Sequence, residues 1–180
     1  LEKPMTYTVE EAEALAKLVR QTKRVMQVGV TGMFAPVFPA VRQYIEGGKL
    51  GKVSWASTSY CRNSRDWEWN YPIDEDAGPH NIDWPRWLGP APKRRFSKER
   101  YFRWRKYRDY SGGVATDLLY HRLAPLAYIL GEDYPSRVTA SGGVYIQKDR
   151  EVPDNFFLSV EYPKDYTILL VSSMTNAAGL

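Results

Sequence analysis

The sequence predicts the end of a parallel α/β domain followed by a larger α+β domain. Two observations carry this. A well-capped helix lies between two short apolar runs near the N-terminus, the pattern of a strand–helix–strand unit whose strands pair in parallel. Near the C-terminus, three strand-like runs follow one another with only turns between them, which implies antiparallel pairing.

The first helix is announced by Thr8 and Glu11, a T-x-x-E capping box, and continues through VEEAEALAKLVRQT. Val9, Ala12, Leu15, Ala16 and Val19 keep helical spacing, with Glu10 and Glu11 early and Lys17 and Arg20 late, as the helix dipole favours. LEKP before it reads as the close of one strand, and RVMQVGV after it as a short buried strand. Two strands do not make a stable sheet, so residues 1–30 read as the tail of a domain. A second unit, residues 31–180, opens with a helix entered through Pro36 and stopped by Gly47-Gly48. KVSWASTSYC then alternates as a strand. Residues 62–110 show no sustained period, and long segments of that kind usually serve function. SGGVATDLLYHRLAPLAYILG reads as one helix, Ser111 to Gly131, after which SRVTASGGVYIQ, DNFFLSVEYP and YTILLVSSMTN read as strands, with a hairpin turn at YPKDY. The last strand runs almost to Leu180, so the expectation is a fragment of a longer chain, cut at both ends.

With 43% hydrophobic and 26% charged residues, the composition is that of a globular domain, and no apolar run is long enough to span a bilayer. Cys61 is alone, which excludes an intrachain disulfide and a cysteine-rich metal centre. A reducing, cytoplasmic setting fits, with an export signal left open because the chain begins at Leu1. A net charge of +4 does not require a nucleic-acid partner, but its distribution is uneven. Residues 66–83 are acidic, and RWLGPAPKRRFSKERYFRWRKYR after them is basic and aromatic. The bland reading is two complementary surface loops; the functional one is a groove for an anion.

Asp117 and His121 lie four apart, and a carboxylate so placed raises a histidine's pKa and orients it as a general base. The commoner use of that spacing is a stabilising pair on a polar stripe. Pro125 lacks the N–H that would bond to the His121 carbonyl, which predicts a helix bent or opened there. In EKP, Lys3 falls at the carboxyl edge of a parallel strand, where α/β sheets bind ligands, with Pro4 fixing the backbone beyond it, although a lysine on an ordinary loop is the commoner meaning of an isolated tripeptide. His80 with Asp83 could suggest a metal, but with no cysteine nearby and only two histidines in the chain no metal site is expected.

In order and spacing, LEKP, MQVGV, FPAVRQYIEGGKLGKV, IDWPRWLGPAP, GGVATDLLYHRLAPLAYILG and DNFFLSVEYPKDYTILLVSS resemble the Gfo/Idh/MocA oxidoreductases over essentially the whole chain. The resemblance implies the remnant of a Rossmann-type sheet followed by an open, mainly antiparallel sheet with helices on one face. It implies NAD or NADP as cofactor and a homo-oligomer built through the sheet. Lys3, Asp117 and His121 would be catalytic, with Glu2, Lys3 and Pro4 by the nicotinamide. Arg86 and Trp87 are candidates for packing on the cofactor, and Arg62 and Asn63 for touching substrate with His121. The implied reaction oxidises a secondary alcohol of a sugar or cyclic polyol. An NAD-dependent glycoside hydrolase using the same first step stays open, as does a non-catalytic nucleic-acid module built on Trp84 to Tyr110. The sequence departs from the family pattern at Leu119, where glycine is usual, and at Ala124, often acidic. It also lacks the G-x-G-x-x-G turn that cradles a pyrophosphate, so the expectation is that this fragment alone binds a dinucleotide poorly.

Overall fold

The computed structural model describes residues 1–131 and 134–179. Helix α1 (Val9–Thr22) begins at the capping box: Thr8 accepts from the Glu11 amide while the Glu11 carboxylate accepts from the Thr8 amide. The flanking apolar runs form a single parallel bridge, Glu2 with Gly29, rather than two strands. Backbone ladders gain by extending across neighbours, and among the described residues no further strand lies beside this bridge. A 3-10 turn at Thr31–Phe34 leads into α2 (Val37–Glu46), which Pro36 caps and Gly47 ends, as the sequence predicts.

The sheet has the order β1-β4-β3-β2. Its strands are β1 (Trp55–Cys61), β2 (Arg137–Gly143), β3 (Asn155–Tyr162) and β4 (Tyr166–Ser173). β2, β3 and β4 pair antiparallel in sequence order, with Asp165 in the left-handed region at the Tyr162–Tyr166 turn. β1 joins the edge of β4 in parallel, so the sheet is mixed, with one parallel pair. Ala56 and Tyr60, Leu158 and Val160, and Ile168 and Leu170 share one face by register. The helix α6 (Tyr120–Leu130) and the residue before it cover that face with Leu119, Leu123, Leu126 and Leu130. Each such leucine contributes about 1.5–3 kcal/mol when fully buried. The other face shows Trp55, Phe157 and Leu169 exposed.

The predicted single helix from Ser111 to Gly131 is two: α5 (Val114–Asp117) and α6. They part at Leu118–Leu119, where the Leu119 amide reaches back five residues to the Val114 carbonyl. Pro125, expected to open the helix, sits inside α6, which continues past it to Gly131. The chain turns at Leu118–Leu119 because the two leucines serve different cores. Leu118 packs with Trp69, Val114, Val152 and Met174, and Leu119 with the sheet residues Ile168 and Leu170.

The irregular stretch holds two further short helices, α3 (Trp84–Leu88) and α4 (Lys98–Phe102). It is tied down mainly by buried charge. Lys106, 2% exposed, reaches Glu99 at 2.6 Å and Asp149 and Asn70 at 2.9 Å. Arg150 joins Asp149 to the Glu68 carbonyl and lies over Trp69. Burying these cations costs solvation that only this full set of oxygens offsets. The acidic run 66–83 is not the main partner of the basic run. Most basic-run cations answer Glu99, Asp109, Asp117, Asp149 and Glu151, although Lys98 and Arg103 bond to the carbonyls of Glu75 and Tyr71.

Gly113 enters α5 at φ +65°, and a Cβ there would sit 2.8 Å from the Cβ of Val152. Gly113→Ala should therefore cost about 2–4 kcal/mol, from backbone strain plus a clash in a packed core. Gly48, with φ +73° and open space around it, should accept Asn within about 0.5 kcal/mol. Urea unfolding of the two variants checks the contrast.

Candidate active site

Asp117 ends α5, and its carboxylate is nearly buried beneath two cations. The Lys3 ammonium donates to Asp117 Oδ1 and to the Asp117 carbonyl, both at 2.8 Å. Arg105 Nε donates to Oδ2 at 3.3 Å, with its guanidinium over the Trp104 ring at 4.3 Å. Lys3 reaches this point because the Glu2–Gly29 bridge fixes the chain just before it. Residues 114 apart in sequence thus share an ion pair. It borders a cavity of about 720 Å³ lined by Pro4, Tyr7, Trp104, Tyr110, Ser111 and Asp117.

His121 lies on a second cavity, of about 480 Å³, with Val30, Phe38, Thr58, Tyr60 and Arg122. The expected charge-tuned Asp–His pair does not form: both Asp117 oxygens are taken by Lys3 and Arg105. Burial holds the His121 pKa below its usual value, Lys3 and Arg122 press it down further, and the opposing pull of Asp117 does not restore it. This reverses the sequence expectation of a raised pKa. The kink at Leu118–Leu119 is the physical reason, since it turns Asp117 to Lys3 and Arg105 and His121 to the second cavity. Among the described residues neither ring nitrogen of His121 has a hydrogen-bond partner, so a neutral imidazole is presented to the cavity.

The remaining candidates lie apart from this centre. Glu2 is exposed at the bridge, its carboxylate beside Gly29. Arg62 lies against the Tyr60 ring and pairs with buried Glu68 at 2.9 Å, while Asn63 is exposed. Glu68 also accepts from Ser64. Arg86 is exposed on α3. Trp87 stacks on Trp84 at 4.9 Å and meets Tyr101 and Tyr110, so it touches the larger cavity only through Tyr110. The rings and cations of residues 84–110 largely satisfy one another. Trp84 is buried and donates to the Arg94 carbonyl, Arg94 pairs with Asp109, and Arg100 lies over Tyr107 and pairs with Asp109 and Glu151.

Sequence reasoning missed Arg105, Tyr60 and Arg122. Nothing local marks the first two. Arg122 carries a signal, a cation in the first turn of a helix where the dipole disfavours it. It was hidden because the sequence reads one helix starting before Asp117. No helix among the described residues is long and apolar enough to cross a membrane.

Residues 36–175 match the model of the oxidoreductase family, C-terminal alpha/beta domain, of the Gfo/Idh/MocA proteins. Over 147 residues the chain is 29% identical to inositol 2-dehydrogenase of Rhizobium meliloti (strain 1021), an alignment covering 82% of this chain and 33% of that protein. It is 33% identical over 103 residues to an uncharacterized oxidoreductase of Synechocystis sp., covering 51% of this chain and 28% of that one. The chain thus spans about a third of the length of the curated relatives it matches. Its backbone follows the WlbA dehydrogenase from Chromobacterium violaceum, solved with NADH and UDP-GlcNAcA, at TM-score 0.65 and 15% identity. That match covers 97% of this chain and 41% of the other. It follows GenD2 from gentamicin A biosynthesis, solved with NAD, at TM-score 0.66 and 18% identity, covering 96% and 40%. At those identities the structures speak for the fold, and the family match for membership: the chain belongs to the Gfo/Idh/MocA oxidoreductase family.

Proposed function

We propose that this chain carries the catalytic side chains of an NAD- or NADP-dependent dehydrogenase acting on a secondary alcohol of a sugar or cyclic polyol. The observation that carries this reading is the Lys3–Asp117 ion pair, set within electrostatic reach of a neutral histidine. Relatedness to an inositol dehydrogenase, and NAD or NADH in the solved relatives, support the substrate class and cofactor. The inward-turned rings and paired cations of residues 84–110 favour it over a nucleic-acid module, which would expose them.

The donor set fits the reacting end of a dinucleotide. Lys3 uses two of its three protons on Asp117 and keeps one to donate. With no glycine-rich turn in this sequence, only the nicotinamide end falls to these residues, with Glu2, Lys3 and Pro4 beside it. When bound, a nicotinamide supplies the hydride acceptor. A ring nitrogen of His121, neutral because of burial and its cationic neighbours, takes the hydroxyl proton of the alcohol. Lys3, whose charge already acts on His121, steadies the negative charge that develops on that oxygen. Asp117 holds the ammonium in place rather than charging the imidazole. Ser111 donates nothing to this scheme but accepts from the Gly113 amide, fixing the turn that aims α5.

The outer sheet face, with Trp55, Phe157 and Leu169 exposed, is assigned to contact with a second copy of the chain.

His121→Asn in the full-length enzyme should lower kcat about 10²–10⁴-fold while dinucleotide affinity, read by fluorescence titration, stays within about threefold. Near-wild-type turnover would remove His121 from the chemistry. Because its pKa is lowered, the acid limb of kcat/KM should fall below the ordinary histidine value of about 6.5. Lys3→Met removes a depressing charge and should move the His121 titration upward, followed by the imidazole proton signals in NMR. Leu169→Glu should reduce the oligomer to a smaller species in light scattering; an unchanged mass would clear this face of the role.

A further inference from the structure

The cavity beside His121 is unbalanced in charge. Arg122 lines it together with Thr58, Tyr60 and apolar side chains, and no carboxylate is among the lining residues. Arg122 and Arg62 both lie against the Tyr60 ring, 5.1 and 5.6 Å from its centroid. They differ in their commitments. Arg62 is held by Glu68 at 2.9 Å, whereas Arg122 has neither an ion pair nor a hydrogen bond among the described residues. The start of α6 adds to the imbalance, since its first turn has no acidic residue to offset the dipole. Arg122 also helps keep His121 neutral, so guanidinium and imidazole are within electrostatic reach.

We propose that Arg122 binds a carboxylate on the substrate, so that the alcohol presented to His121 belongs to a sugar acid or another carboxylated polyol. This rests on the dehydrogenase reading and narrows its substrate class. A guanidinium offers a planar fork that matches a carboxylate with two parallel hydrogen bonds, and stacking on Tyr60 orients that fork. One uncommitted cation balances one monoanion. The cavity, about 480 Å³, is in the range of small-molecule sites. Occupancy has a chemical consequence. A carboxylate on Arg122 cancels one of the charges that depress His121, so the base gains proton affinity when its substrate is in place.

The test is calorimetric titration of the full-length holoenzyme with D-glucuronate and D-galacturonate, each against its neutral sugar, and with glucose 6-phosphate. The expected result is uronate binding at least about tenfold tighter than the neutral sugar, lost in Arg122→Met and partly kept in Arg122→Lys. Circular dichroism verifies that both variants are folded. Three results overturn the proposal: no binding of either uronate, equal affinity for neutral and acidic sugars, or a preference that survives Arg122→Met. Tighter binding of glucose 6-phosphate than of either uronate, lost in Arg122→Met, overturns the carboxylate in favour of a phosphorylated sugar. An Arg122-dependent uronate preference supports the anion site even if no sugar acid drives dinucleotide reduction; in that case the dehydrogenase reading fails by itself.

Discussion

The ion pair between Lys3 and Asp117 is the constraint on which the candidate site depends. It joins the N-terminal segment to the helix pair above the sheet, and it does so with an ammonium only 16% exposed. A cation so placed is tolerable only with oxygens around it, and Asp117 supplies two, one from its side chain and one from its backbone. The carbonyl is available because α5 stops at Asp117, leaving that oxygen outside a continued helical ladder. Helix break and ion pair therefore depend on one another. With Arg105 on its other oxygen, Asp117 is engaged on both oxygens, and its pull on His121 is outweighed by burial and the neighbouring cations.

That division of labour decides the electrostatics. A histidine paired to a carboxylate would hold its proton more tightly; one flanked by burial, Lys3 and Arg122 gives it up. The same protein charges thus keep the base neutral and leave Arg122 free to meet an anion. The irregular segment 62–110 owes little to regular secondary structure. It is held by Lys106, Arg150 and Arg62, whose oxygens come from residues 68–70, Glu99 and Asp149. At the turn before Val152, Asp154 plays a matching part. Burial works against its charge, yet the amides of Tyr145, Ile146 and Gln147 hold its pKa below the carboxylate range. Val152 is then set against Gly113, which aims α5 at Lys3.

Local chemistry was legible where a residue acts through its immediate neighbours. Thr8 and Glu11, Pro36, Gly47 and the 162–166 turn behave as their types require, because capping and turn formation involve only a few consecutive residues. Residue pattern identified β1, β3 and β4 for the same reason. It failed at RVMQVGV, which has strand chemistry but only one bridge, since a ladder needs a neighbour that spacing cannot supply.

The sequence by itself determined which residues are chemically able to serve: an ammonium in EKP, and a carboxylate and an imidazole four positions apart. Tertiary structure alone decided who partners whom. Leu118 and Leu119 are alike in type, but they are pulled into two different cores, and the kink between them directs Asp117 to Lys3 and His121 to Arg122's cavity. A contact between residues 3 and 117 brings no gain until the chain between them is folded, because loop closure must be met first by burial elsewhere.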